Sequence, residues 1–161
     1  MRAREVMTPQ PACCTPDDTA RDVATVMRDR DCGCVPIIDQ SSAKLLGIVT
    51  DRDLAVRGIA SGSGADTPIM DLMTASPQCC TEMDHLDKVE RLMSTHQVRR
   101  MPVVDADGCC VGIISQADLA RAAQDGRRVT EHELAIVIER ISAQNRNSVG
   151  SGANVRTANA H

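Results

Sequence analysis

Apolar residues recur along this chain with two alternating periods. Ala20, Val23, Ala24 and Met27 follow the i, i+3, i+4, i+7 spacing of an amphipathic helix, and Leu86, Val89 and Met93 repeat that stripe further on. Short continuous apolar runs lie after each stripe: "CVPII" (34–38) and "KLLGIVT" (44–50), then "RMPVV" (100–104) and "CCVGIIS" (109–115). These runs read as strands joined by hairpin loops, and Pro36 and Pro102 argue for an edge strand or a strand start. "ACC" (12–14) and "QCC" (78–80) read as shorter strands. After them, Thr15-Pro16-Asp17-Asp18 and Thr81-Glu82-Met83-Asp84 read as helix starts, with a hydroxyl N-cap and acids in the first turn. "DLAVRGIA" (53–60) and "DLARAAQ" (118–124) read as closing helices, the first ended by the glycine-rich "GIASGSGADTP" (58–68).

The pattern strand, helix, strand, strand, helix therefore occurs twice. Displaced by 66 residues, "MTPQPACCT" (7–15) falls on "MTASPQCCT" (73–81), and "VPIID" (35–39) on "MPVVD" (101–105). Past the hairpin loop the offset drops to 65, and "GIVTDRD" (47–53) falls on "GIISQAD" (112–118). This is a duplicated unit of about fifty residues. Its fold class is α+β, with motif 1 over 1–62 and motif 2 over 63–126 forming one module. A capping box at Thr130 and Glu133, followed by Leu134, Val137, Ile138 and Ile141 on one face, predicts a C-terminal helix over 127–144. Residues 145–161 have almost no apolar content and read as a disordered tail.

Composition narrows the function. At 161 residues the chain can bury roughly two thirds of its unfolded surface. It has no Phe, Trp or Tyr, so its core must be built from aliphatic residues, Met and Cys. With 18 basic and 22 acidic residues intermixed, it offers no broad basic field for nucleic acid. No apolar run is long enough for a membrane span, and "MRAREVMTPQ" lacks the apolar stretch of a secretory signal, so a cytoplasmic location is expected. Eight cysteines in such a chain are expected to be reduced. Cys13-Cys14, Cys79-Cys80 and Cys109-Cys110 are adjacent pairs that a strand turns to opposite faces, which suits no single metal. Cys32 and Cys34, or Cys13 or Cys14 brought near Cys79 or Cys80, leave a thiol redox or soft-metal sensor as an alternative. The four histidines have no metal spacing, and no nucleophile stands with a base and an orienting group; neither a metal site nor an enzyme is expected.

The doubled hydroxyl-x-x-Asp turn is the chemistry that stands out. By itself Thr50 with Asp53, or Ser115 with Asp118, is a capping pair that satisfies free N–H groups at a helix start. Two complete sets, each with an aliphatic-Pro-aliphatic-aliphatic strand, a Gly-aliphatic-aliphatic-hydroxyl-x-x-Asp turn and a "VMT" or "LMT" leader, resemble a tandem pair of cystathionine beta-synthase (CBS) domains, the Bateman module. The resemblance covers residues 5 to about 123, and "DRDLAVRG", "HQVRRMPVVD" and "GIISQADLARAA" are similar to stand-alone bacterial members.

That resemblance implies two motifs packed sheet against sheet about a pseudo-twofold axis, with clefts for adenosine-containing ligands such as AMP, ADP or ATP. It implies a non-enzymatic regulatory module that signals through a homodimer or an unidentified protein partner. Asp53 and Asp118 would accept the ribose hydroxyls, and Thr50 and Ser115 would face ribose or phosphate. A carboxylate can accept both vicinal hydroxyls, and free N–H groups at a helix start favour an anion. Without aromatics the adenine slot must be aliphatic, from Val35, Pro36 and Ile37 in one cleft and Met101, Pro102 and Val103 in the other. Arg52, Arg57, Arg99 and Arg100 are candidate phosphate partners. The first cleft is favoured, because "TDRD" supplies an arginine where the second motif has Gln116 and Ala117. An interaction module with silent clefts is the other alternative.

Overall fold

Each repeat starts its first helix later than the hydroxyl residues at 15 and 81 suggest. Helix α1, Ala20–Asp29, is capped by Thr19, whose hydroxyl accepts the Asp22 N–H at 3.2 Å while the Asp22 carboxylate accepts the Thr19 N–H at 2.9 Å. Helix α3, Leu86–His96, begins after His85, which gives no side-chain cap. Thr15 and Thr81 sit upstream, each just before a turn, their N–H groups donating to Asp18 at 2.6 Å and Asp84 at 2.9 Å. A helix beginning there would need the Asp18 and Asp84 carbonyls for its own ladder. Both are taken: Ile69 N–H donates to Asp18 O and Ala3 N–H to Asp84 O. Replacing Thr19 with Ala removes the cap; a loss of about 1 kcal/mol is expected, read as a lower urea midpoint with unchanged slope.

The computed structural model describes residues 1–124 and, beyond them, Ala135, Ile136, Ile138 and Glu139, which are helical. The remainder of the expected C-terminal helix and the tail over 145–161 lie outside the described residues. The remaining elements are β1 (Thr8–Pro9), β2 (Cys34–Ile38), β3 (Leu45–Thr50), α2 (Asp51–Asp53), β4 (Thr74–Ala75), β5 (Cys80–Thr81), β6 (Arg100–Val104), β7 (Cys110–Ser115) and α4 (Gln116–Gln124). Among the described residues no helix is long and apolar enough to cross a membrane.

Two sheets form, one per repeat, and each is completed by the leader of the other repeat. β2 and β3 pair antiparallel, with β4 on the outer side of β3; β6 and β7 do the same, with β1 on the outer side of β7. On the other side β6 takes β5 in parallel, Cys80 against Val103, and β2 takes the single residue Cys14 against Ile37. Pro36 thus stands in the edge strand of its sheet, as expected, with only the Cys14 bridge beyond it, whereas Pro102 stands in an internal strand, a correction to the edge reading there. The Pro36 carbonyl accepts from Cys14 N–H at 3.1 Å. A strand residue turns its N and its C=O to the same side, so the missing proline donor faces the short outer segment and costs little of the ladder.

The helices bury the sheet faces turned away from the other repeat. Val23 and Met27 of α1 pack with Val35, Ile37, Val49, Ile69 and Leu72 in one core. Leu86, Val89 and Met93 of α3 pack with Met101, Val103, Ile114, Leu119 and Ala3 in the other. Ala3 and Ile69 are leader residues, so each core contains a piece contributed by the other repeat's leader. Cys34, Ile48 and Ile113 are buried together where the two sheets meet. The hairpin loops also bond to each other, Leu45 N–H to Gly108 O and Cys110 N–H to Ala43 O. The result is one α+β body of two repeats with matched contacts on both sides.

The leaders explain the glycines of the repeated motif. Met7 lies over Gly112, and Met73 over Gly47. A Cβ added at Gly112 would overlap Met7 Sδ and come within 2.9 Å of its Cγ; one at Gly47 would overlap Met73 Sδ and lie 3.1 Å from the Thr74 carbonyl. The "MT" leader and the glycine of the turn motif are two sides of one contact.

Candidate functional site

Both hydroxyl-x-x-Asp turns form at the end of the third strand-like run of their repeat, and both are closed capping boxes. Thr50 N–H and hydroxyl donate to Asp53 Oδ2 at 2.9 and 2.7 Å, and Asp53 N–H returns to the Thr50 hydroxyl at 3.1 Å. Ser115 N–H and hydroxyl donate to Asp118 Oδ2 at 2.7 and 2.6 Å, with the return bond at 3.3 Å. In each, the remaining carboxylate oxygen meets an arginine. Arg57 Nε lies 3.5 Å from Asp53 Oδ1, one helical turn away, and Arg121 pairs with Asp118 Oδ1.

The two turns lead into different helices. After α2 the helix widens into a π turn over Leu54–Ile59, with Ala60 N–H donating to Ala55 O. Gly58 is buried there against Leu72, and Arg57 also donates to the Leu72 carbonyl at 3.1 Å, tying its guanidinium to the scaffold. The second turn opens directly into regular α4. Asp118 is 7% exposed, whereas its partner Arg121 is 70% exposed.

A cavity of about 580 Å³ opens at this second acid, within the size range of small-ligand sites. One wall is the leader, Thr8, Gln10, Pro11 and Ala12; another is the α1–β2 connection, Arg30 to Cys34. Arg100 of β6, Ile113 and Ser115 of β7, and Asp118 and Arg121 of α4 complete it. Three guanidinium groups therefore share one hollow with two carboxylates, Asp31 and Asp118, beside an apolar stretch of Pro11, Ala12 and Ile113. Arg100 reaches toward the buried Cys34, its Nη2 passing close to Gly33, where a Cβ would lie 3.5 Å from it.

Of the residues singled out from sequence, Ser115, Asp118 and Arg100 line this cavity together. Thr50, Asp53 and Arg57 form the matching turn in the first repeat, where Arg52 is exposed and Arg99 is exposed on the far strand approach. Val35, Ile37, Met101 and Val103 face the opposite way, fully buried in the two cores, so their side chains wall no cleft. Pro36 and Pro102 alternate with them and are buried on the inter-sheet side. Arg30, Asp31, Arg121 and the leader residues were not foreseen. A loop arginine and a leader strand from another part of the chain carry no local signal of a shared cavity.

The thiols do not gather at one site. Cys14 and Cys80 lie in separate cores, and burial pushes them up to about 11 and about 12 respectively. Cys34, buried between the sheets, is likewise pushed up to about 11. Among the described residues no group of three or more His, Cys, Asp or Glu is arranged to hold a metal ion.

A family model for the CBS domain matches residues 3–57 and 69–125. The chain belongs to the CBS domain family. This CBS pair is 36% identical over 127 residues to the uncharacterized protein YlbB of Bacillus subtilis, covering 79% of this chain and 85% of that one. Its fold superposes on CBSX2 of Arabidopsis thaliana, solved in complex with AMP, with a TM-score of 0.67 and 29% identity over 79% of this chain and 98% of that one. It superposes equally on the Hypoxic Response Protein I of Mycobacterium tuberculosis, solved with two coordinated zinc ions, at a TM-score of 0.68 and 31% identity over 75% and 98% of the two chains.

Proposed function

We propose that this CBS pair is a non-catalytic regulatory module that takes an adenosine nucleotide in the cavity at Asp118. The observation that carries the reading is the convergence of Ser115, Asp118, Arg30, Arg100 and Arg121 on one hollow half-lined by apolar groups. Asp118 is held in place by Ser115 with one oxygen and offers the other to a cation. Ser115 uses Oδ2 twice and Arg121 uses Oδ1 once, so with Arg121 displaced Oδ1 is open to accept the vicinal hydroxyls of a ribose. Arg121, exposed over most of its side chain, can leave that oxygen and meet a phosphate with Arg30 or Arg100. The AMP bound by CBSX2 supports a ligand of this class.

Occupancy signals by binding one arrangement of the two repeats better than another. The readout is a homodimer or a protein partner, for which the exposed Val56 and Ile59 beside the first turn offer an apolar patch. Thermal melts followed with an external dye, needed because the chain has no aromatic residue, test the reading. AMP, ADP or ATP at a hundred times its dissociation constant is expected to stabilise by about 2.7 kcal/mol. No shift at millimolar nucleotide would leave an interaction module with silent clefts as the better account.

A further inference from the structure

The leader does more than wall the cavity. After β1 pairs with β7, with Gln10 N–H donating to the Val111 carbonyl, the chain crosses to the other sheet, where Cys14 bridges Ile37. Cys13 is the residue at that crossing. Its thiol reaches back to the Pro11 carbonyl at 3.3 Å, and the Cys110 thiol at the start of β7 points to the Gly112 carbonyl at 3.7 Å. Gly112 is itself the register partner of Pro9, and Gln10 that of Val111 by its hydrogen bond, so the register brings the Cys110 thiol opposite Pro11, where the Cys13 thiol lies. Both residues are half-buried and neither is sealed in a core.

We propose that Cys13 and Cys110 form a peroxide-responsive dithiol which closes to a disulfide and staples the leader crossing to β7. The matching place in the first half has no such pair, since Cys79 corresponds to Cys13 but Leu45 stands where Cys110 would be. The roles divide by environment. Cys13 is held below the usual thiol range by the neighbouring Cys110 thiol, while the Cys13 thiol and burial push Cys110 up. Cys13 is therefore the thiolate that attacks. It takes the distal oxygen of a hydroperoxide, the O–O bond breaks, and the departing alkoxide picks up a proton from solvent. Cys13 is left as a sulfenic acid. The Cys110 sulfur then attacks that sulfur, the S–O bond breaks, and the leaving hydroxide takes the Cys110 proton as water. Two thiols and one hydroperoxide give one disulfide, one alcohol and one water. Cys34 also lies near Cys110, but it is buried between the sheets and pushed up to about 11, which disfavours it as the attacking group.

The test uses the full chain, reduced, treated with an equimolar amount of hydrogen peroxide and then quenched with an alkylating agent. Intact mass is expected to show the loss of two hydrogens. Non-reducing peptide mapping is expected to join the Cys13 and Cys110 peptides, and dithiothreitol to separate them. Closing so long a loop should raise the melting temperature by about 5 °C or more. Cys110→Ser, and independently Cys110→Leu, which copies the residue of the first repeat, should lose both the cross-link and the shift; Cys79→Ser should keep them. A disulfide that joins another pair, only intermolecular cross-links, or Cys13 over-oxidised with Cys110 still free would each overturn the proposal.

Discussion

Gly112→Val is expected to destabilise the fold by about 3 kcal/mol, the upper range of core overpacking. Even the first carbon of the new side chain would occupy the volume of Met7 Sδ and press on its Cγ and Cβ. Met7 cannot simply swing aside, because it packs against the second core and sits between the Ala3 turn and β1, which is hydrogen-bonded to β7. Yielding therefore means loosening the leader from a sheet of the other repeat. Gly47→Val should act alike, with the added obstacle of the Thr74 carbonyl. Far-UV circular dichroism in a urea series measures the loss. The decisive observation is the cycle with Met7→Ala. Shortening Met7 alone should also destabilise, yet in the Gly112→Val background it should restore part of the loss, an interaction energy of about 1–3 kcal/mol. Additive losses would mean that the glycine is not there for the methionine.

That contact also shows where sequence reading reaches and where it stops. The repeat, the helical stripes at Val23, Met27, Val89 and Met93, and the turns at Thr50-Asp53 and Ser115-Asp118 were legible, because each is a local pattern with one period. Which face of β2 and β6 meets a cleft was not. Their sheets are covered on both sides, so Cys34 to Ile37 and Met101 to Val104 are all buried and the run carries no alternation to set its phase. Val35, Ile37, Met101 and Val103 were therefore expected in clefts and found in cores. The exchange of leaders was invisible for another reason. "MTPQ" and "MTAS" look the same whether they complete their own sheet or the neighbour's; only a pairing such as Thr8 with Ile113, far apart in sequence, decides it. The helix starts failed by the same route, since the Asp18 and Asp84 carbonyls were claimed by distant N–H groups.

Asp118→Ala is expected to reduce adenosine nucleotide affinity ten- to a hundredfold, while Asp53→Ala leaves most of it. Sequence favoured the first cleft for the arginine of "TDRD", but in the structure that arginine is exposed and its neighbour Arg57 is already engaged. Arg57 is bound to both Asp53 and the Leu72 carbonyl, and Arg52 is exposed. At the second turn, Asp118 shares a cavity with three arginines. If Asp118 accepts the ribose hydroxyls as proposed, removing it forfeits a charge-assisted bond of about 1.5–3 kcal/mol, which converts to that range of dissociation constants. The same substitution strips the cap from α4 and leaves the Ser115 N–H unpaired, so a stability loss of about 1–2 kcal/mol accompanies it. Asp118→Asn separates the effects. Its side-chain oxygen can still accept from Ser115 N–H and keep the helix start, but it has lost the charge and the second acceptor oxygen. A stable Asp118→Asn protein with AMP affinity reduced at least tenfold by calorimetry assigns the acid to the ligand. Unchanged affinity in that variant would return Asp118 to the role of a helix cap, and an equal loss from Asp53→Ala would overturn the preference for the second turn.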